Sequence, residues 1–229
     1  MTRHILIDAD ILAYKAAFSK SSTSIASLIE KIDEIFKRIL DNVQERFGED
    51  IIVKAYLTGS NNFRKELSQD YKAHRTGEKP VLLNLVREYI LDAYPCEVVE
   101  GQEADDAIAI EATKLYPKAV IVSIDKDFRQ VPGLLYNPGR DTWEDITEFQ
   151  GLKAFYTQML TGDVTDNIKG VWKVGPIRAE TILKGATTEL EMWKRCLDAY
   201  ERDYDRAVMN GRLLWLRRYE NQLWTPPEG

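Results

Sequence analysis

The sequence reads as an α/β protein, with a mostly parallel sheet flanked by helices and an all-helical carboxyl-terminal part. Three observations lead there. Short apolar runs rich in Val and Ile alternate with helix-length segments up to residue 147, the pattern of parallel strands joined by crossover helices. Val120, Ile121, Val122 and Ile124 form a nearly unbroken apolar run, as a strand buried on both faces requires. From about residue 148 strand signals stop and helical spacing takes over.

Each element has its own signal. HILIDAD (4–10) is a short apolar strand. Residues 24–47 carry Ile25, Leu28, Ile29, Ile32, Ile35, Phe36, Ile39, Leu40 and Val43 on one helical stripe, opened by Ser24 and closed near Gly48. IIVKAYL (51–57) is a second strand. The polar, basic NNFRKELSQDYKAHRTGEKP is too irregular for a core element, and a helix is expected from Pro80 to about Asp92, with Pro in its first turn. CEVVE (96–100) is a short strand that Gly101 ends before the helix of EADDAIAIEATKLY. The central strand follows, then a hairpin-like or loop region to residue 147. Helices are expected near 148–160, 176–184, 188–201 and 203–219. The expected organisation is one compact unit, with an α/β core over 1–147 carrying an insert near 60–92, and a helical part over 148–229.

Composition excludes several classes. No run of 18 apolar residues exists, so no helical membrane span is expected, and Asp8 inside the first apolar run argues against a secretory signal. Cys96 and Cys196 are too few for a disulfide framework, and with only His4 and His74 no Cys/His zinc site can be assembled. A cytoplasmic protein with reduced thiols fits best. The net charge of −6 is unevenly spread: residues 101–166 hold twelve acids against six cations, whereas 64–87 and 168–184 are basic. An acidic pocket between basic surfaces suits a metal-dependent enzyme acting on a polyanion, although charge runs are more often solvated faces.

The acids come from four stretches. Asp8 ends the first strand (with Asp10 beyond it), Asp125 and Asp127 end the central strand, Glu103, Asp105 and Asp106 open a helix, and Asp163 and Asp166 lie in LTGDVTDNIKG. Singly, each is an ordinary cap or turn residue. Together, without His or Cys, they suit hard cations such as Mg²⁺ or Mn²⁺. Two such ions about 3.5–4 Å apart clamp the attacking and leaving oxygens of a phosphodiester. In FRKELSQDYKAHR (63–75), Arg64, Lys65, Lys72 and Arg75 accompany Phe63 and Tyr71. Such cations grip phosphates and such rings stack on unpaired bases, the plainer reading being a solvated loop. His74 is solvated or phosphate-facing. GVWKVGPIRAETIL (170–183) is a glycine turn between helices. Its backbone N–H groups, with Lys169, Gly170, Lys173, Gly175 and Arg178, can hold a duplex phosphate, or the segment is a plain connector. Trp172 is expected to pack; Trp143, Trp193, Trp215 and Trp224 read as core or interface.

GQEADDAIA, SIDKDF, LTGDVTDNIKGVWKVGPIRA and FRKELSQDYKAHR together resemble the 5′-nuclease superfamily, which includes flap endonucleases, the 5′-nuclease domain of bacterial DNA polymerase I and stand-alone bacteriophage 5′→3′ exonucleases. The phage enzymes look closest. The resemblance runs from about residue 4 to 184, and the tail LLWLRRYENQLW is also phage-like. It implies a PIN-like α/β core, a helical arch near 60–92 and a helix–two-turn–helix element in the carboxyl-terminal part. It implies that Asp8, Glu103, Asp105 and Asp106 hold one metal, and that Asp125, Asp127, Asp163 and Asp166 hold or support a second. By the same resemblance Lys72 and Arg75 engage the scissile phosphate beside Tyr71. The turn Gly170–Gly175 grips a duplex backbone and, in relatives, often binds K⁺ through carbonyls.

The activity implied is a metal-dependent 5′→3′ exonuclease with flap or RNA-primer cleavage in DNA replication or recombination. Its substrate would be DNA with a 5′ end, nick or flap, or an RNA–DNA hybrid, and replication proteins would be partners. A monomer with no membrane association is expected, in the host cell cytoplasm if phage-encoded. The alternatives are a catalytically silent DNA-structure-binding module of the same fold and a PIN-type ribonuclease. One departure stands out. Many relatives carry an acid after the second strand, where this chain has Thr58 and Gly59, which implies a looser first metal site and a higher metal requirement.

Overall fold

Residues 1–18, 24–75, 77 and 80–228 are described by the structure, a computed structural model. Six strands form the main sheet: β1 (Arg3–Asp8), β2 (Ile51–Thr58), β3 (Cys96–Val99), β4 (Ala119–Val122), β5 (Gly133–Asn137) and β6 (Thr142–Ile146). They lie in the order β3-β2-β1-β4-β5-β6; the β5–β6 pair is antiparallel and the others parallel. The chain steps from β1 outward to β2 and β3, then crosses back to place β4 on the other side of β1. In open α/β sheets that reversal leaves a crevice at the carboxyl ends of the two central strands. Register fixes what reaches it: Ile7 stands opposite Val122, so Asp8 and Ser123 leave the sheet side by side.

Strand alternation feeds two cores. Ile5, Ile7, Val120 and Val122 point to one face, where they pack under α1 (Ala9–Ala17), α2 (Ile25–Phe47) and a helix over Leu83–Ala93. Leu6, Tyr56 and Ile121 point to the other face, beneath a helix over Ala104–Leu115. The apolar stripe of α2 is buried at Leu28, Ile32, Phe36, Ile39 and Val43, and Ser24 caps it reciprocally with Ser27. The insert contributes α3 (Phe63–Leu67) and the Leu83–Ala93 helix, α4; residues 76, 78 and 79 lie outside the described residues. The Ala104–Leu115 helix is α5.

The carboxyl-terminal part is built from α6 (Glu148–Thr161), α7 (Pro176–Leu183), α8 (Glu189–Ala199) and α9 (Tyr204–Leu214) around Phe155, Met159, Trp193, Cys196, Leu214 and Trp224.

Four local expectations change. Ala9, Leu12, Ala13 and Ala16 make a small-residue stripe that buries α1, a helix the apolar periodicity of larger residues does not announce. α4 begins at Leu83, three residues after Pro80, whose carbonyl instead accepts from Leu83 N at 3.0 Å. The helical part contains one two-residue antiparallel pair, β7 (Gly162–Asp163) with β8 (Ile168–Lys169). α9 stops at Leu214 rather than 219 because the next residues are claimed elsewhere. Arg64 donates to the carbonyls of Leu213 and Trp215 at 2.8 Å each, and Arg217 N donates to Asp106 at 3.1 Å.

Candidate active site

The crevice begins where β1 and β4 end. Asp8 is 2 % exposed and works twice: one carboxylate oxygen caps α1 through Ile11 N (3.3 Å), the other accepts from Ser123 Oγ (2.8 Å). Ser123 Oγ in turn accepts from Asp125 N at 3.0 Å, and Asp125 accepts from Asp127 N at 2.9 Å, opening a short 3-10 turn over 126–130. Asp8, Ser123, Asp125 and Asp127 thus form one hydrogen-bonded line along the rim.

The amino terminus of α5 supplies the second group. Glu103 is the cap residue, and Thr58 Oγ1 at the end of β2 accepts from Ala104 N at 2.9 Å, which seats the helix start against the sheet rim. Asp105 follows, half-buried, within the field of Asp8, Glu103 and Asp125.

The third group is held by α6. Gln158 Nε2 donates to Asp127 (3.0 Å) and Asp163 (3.3 Å), so one amide ties the β4 acids to the helical part. Asp163 also accepts from Thr165 N at 2.7 Å and faces Lys126 Nζ at 3.3 Å. The insert closes the ring. Tyr71 OH donates to both Glu103 (2.7 Å) and Asp166 (3.0 Å), Lys72 is paired with Glu103, and Arg75 is paired with Asp166 at 2.7 Å. Lys72 N donates to the Asp166 carbonyl at 3.0 Å, with Lys72 itself in the left-handed region at φ 56°.

Electrostatics divides the acids. Burial, with Asp10 and Asp125 nearby, pushes Asp8 up to about 7. Burial and the Asp125 charge push Asp127 up to about 7. Burial raises Asp125, and burial with Asp8, Glu103 and Asp125 raises Asp105 well above the carboxylate range. Glu103, against its own burial, is held low by Lys72 and Arg64, as Asp163 is by Lys126. Among the described residues no three acid, His or Cys side chains converge as a ready-made ion cage. Lys72, Arg75 and Lys126 occupy carboxylate oxygens instead, while the line from Asp8 to Asp127 carries repelling charges with too few cations. An all-oxygen donor set under mutual repulsion fits a hard divalent ion.

Several candidate residues stand elsewhere. Asp106 is fully buried and turned away from the crevice. Both its oxygens are taken by Arg64, at 2.5 and 2.9 Å, so it is a structural anion rather than an open ligand. Arg64, 2 % exposed, is correspondingly unable to face a nucleic acid, while Lys65 beside it is exposed. The guanidinium of Arg217 lies 3.6 Å from the Phe63 ring centroid and donates to Gln102 at 3.1 Å, completing this buried knot. Lys169, Lys173 and Arg178 are exposed on the segment around the glycine turn. Gly170 is required by close backbone contact with Gly162 and Leu160, whereas a side chain at Gly175 would meet open space.

The region around Thr58 and Gly59 is less bare than the sequence implies. Asp10 accepts from Thr58 N at 2.7 Å and pairs with Arg87, and the Glu100 carboxylate lies over Gly59, held by Ser60 N at 3.1 Å. Gln158 and Lys126 are rim residues that the sequence alone does not single out as functional, whereas Asp10 is signalled by its i+2 spacing from Asp8 at the end of the first strand.

Comparisons with known proteins bear on the family and the fold. A DNA polymerase I from Rhizobium leguminosarum is 34 % identical over 142 residues, covering 55 % of this chain and 14 % of the polymerase. A 5′-3′ exonuclease from Aquifex aeolicus is 28 % identical over 193 residues, covering 75 % of this chain and 65 % of the relative. This chain therefore spans less than two thirds of either relative. The flap endonuclease of bacteriophage T5, solved as a pseudo-enzyme-product complex with DNA and metal ions, shares the fold at TM-score 0.68 and 15 % identity, over 93 % of this chain and 89 % of that one. The family described as 5′-3′ exonuclease, N-terminal resolvase-like domain, matches residues 3–140. On that match, which covers more than half of it, the chain belongs to the 5′-3′ exonuclease family, within the 5′-nuclease superfamily.

Proposed function

We propose that this chain is a divalent-metal-dependent 5′→3′ exodeoxyribonuclease that also cleaves flaps or RNA primers, serving DNA replication or recombination of the phage type. The observation that carries the reading is the gathering of acids from four stretches on one rim, bridged by Tyr71, Lys72 and Arg75. Asp8, Glu103 and Asp105 would hold one ion. Asp125, Asp127 and Asp163 would hold the second, with Asp166 in support; Asp106 leaves the set. Mg²⁺ or Mn²⁺ bound there offsets charge on the phosphate and eases deprotonation of the attacking water.

The protein's own groups set up the rest. Glu103 and Asp166 lend their charge to Lys72 and Arg75, which keeps both cations pointed into the crevice. Were Glu103 and Asp166 turned to bound cations, Lys72 and Arg75 would exchange those partners for a phosphodiester. Tyr71 is anchored at both carboxylates, so the stretch carrying the two cations keeps its position during that exchange. Burial of Asp8 against Ser123 fixes its carboxylate in one orientation, the condition for positioning chemistry on a rigid rim.

A panel of 5′-labelled duplex, nicked, flap and RNA–DNA hybrid substrates, each with Mg²⁺, Mn²⁺ or chelator, tests the reading. Release of short products from 5′ ends in Mg²⁺ or Mn²⁺ alone is expected. Binding without cleavage would favour a silent structure-binding module, and cleavage restricted to RNA a ribonuclease; either result overturns the proposal.

A further inference from the structure

The turn that joins β8 to α7 presents a tryptophan to solvent where packing is expected. Trp172 is 82 % exposed, and Ile177 nearby in sequence is 85 % exposed. Leaving an indole in water costs apolar burial that the neighbouring core, rich in aromatic residues, is able to supply. The exposure is not a consequence of a loose loop. Val171 N donates to Leu160 O at 2.8 Å, Val174 is buried and its N–H donates to Val171 O at 3.1 Å. From α9, Arg206 and Asn210 donate to the carbonyls of Gly170 (2.6 Å) and Lys169 (2.9 Å). Lys173 is held at φ 60°, a conformation that side-chain-bearing residues rarely adopt. The backbone on either side of Trp172 is therefore pinned while its ring stands free, with Lys173 Nζ 5.8 Å from the ring centroid.

Charge identifies what meets that ring. Lys169, Lys173 and Arg178 are exposed on the same segment, and Glu180 is its one acid between 168 and 184. Gly175, Pro176, Ile177, Arg178 and Thr181 line a shallow groove of about 430 Å³ beside the turn. A polyanion with an apolar face fits such a mixture: in a duplex, phosphates meet the cations and the sugars of the minor groove meet apolar side chains.

We infer that Trp172 is an apolar anchor that seats against the sugar faces of duplex DNA held by Lys169, Lys173 and Arg178, and so adds a salt-insensitive part to binding at this turn. The inference rests on the nuclease reading above and goes beyond it by assigning a contact residue whose chemistry is not phosphate pairing.

The two kinds of interaction separate by salt. Removing one phosphate-pairing cation shallows the slope of log affinity against log salt by about 0.9, whereas removing an apolar anchor leaves the slope unchanged. Fluorescence anisotropy of a labelled blunt duplex, in chelator across a salt series, reads both. Trp172→Ala is expected to weaken binding about five- to tenfold at every salt with an unchanged slope, as an indole contact of modest size would. Trp172→Phe should keep most of the affinity, and Lys173→Gln should shallow the slope. A thermal melt of Trp172→Ala should match the wild type, because the ring touches no core. Affinity within twofold of wild type for Trp172→Ala, or a loss that vanishes at high salt, overturns the inference; a ring reserved for a protein partner gives the first of these results. If the wild-type chain binds no duplex at all, the nuclease reading fails first, an outcome distinct from wild-type-like binding by Trp172→Ala.

Discussion

Asp105 and Asp106 are adjacent, chemically identical and opposite in role. Asp106 lies on the side of α5 that carries Ala109 and Ile110, fully buried with both oxygens on Arg64. Removing its charge strands a buried guanidinium, and Asp106→Asn is expected to cost about 3–5 kcal/mol in chemical denaturation. Asp105 is crowded by Asp8, Glu103 and Asp125, and its burial with these neighbours already disfavours the ionised form. Asp105→Asn should therefore leave the metal-free protein as stable as wild type or more so, while abolishing hydrolysis. A drop in melting temperature for Asp105→Asn comparable to that of Asp106→Asn would show that the two have been assigned the wrong way round. The run GQEADDAIA announces a cluster of acids but not which one turns inward, since Asp105 stands i+3 and i+4 from Ile108 and Ala109 and Asp106 from Ala109 and Ile110, all of them buried. Arg64, the partner of Asp106, is forty-two residues away, and no local signal connects them. Trp172 is the converse case: nothing local distinguishes an indole that packs from one that the surrounding backbone holds in water.

At the scale of elements, the ends of β1, β2 and β4 and the start of α5 decide what the rim can bind. β1 and β4 are legible because two apolar runs each finish in an Asp-X-Asp sequence, and adjacent parallel strands deliver such residues to one edge. The helix α1 is not, because its buried stripe is Ala9, Ala13 and Ala16 with a single Leu12. The end of β2 offers a test of the first ion site. Thr58 Oγ1 already touches the start of α5 through Ala104 N, so a carboxylate in its place can keep that bond and add charge next to Asp105. Thr58→Asp is expected to lower the Mg²⁺ concentration for half-maximal hydrolysis, by about tenfold if it acts like a typical support to a metal ligand. Gly59→Asp should do less, since a side chain there must first displace the Glu100 carboxylate. Equal metal requirements in Thr58→Asp and wild type would place the first ion away from the α5 start.

Across the whole molecule, the segment after α9 ties the sheet to the helical part. Leu216 enters the core beneath α5, Arg218 donates to the Gln130 carbonyl at 2.6 Å, and Arg217 covers Phe63 at the base of the insert. Its mixture of large apolar and basic residues predicts a continued helix; what straightens it is the set of buried partners on α3, α5 and the 126–130 turn, all distant in sequence. Arg217→Ala removes a cation–π contact and two side-chain hydrogen bonds, to Gln102 and Gln222. It should destabilise the chain by about 1–3 kcal/mol. Thermal unfolding checks this, and an unchanged melting temperature would mean that the segment merely follows the fold it lies on.

Binding of Mn²⁺ to the DNA-free protein, followed by titration calorimetry, addresses the acid rim itself. Two ions per wild-type chain are expected and fewer in Asp125→Asn, with that variant folded and still bound to duplex DNA. Two ions bound equally by wild type and Asp125→Asn, or none bound by either, would contradict a rim built to hold a pair of cations.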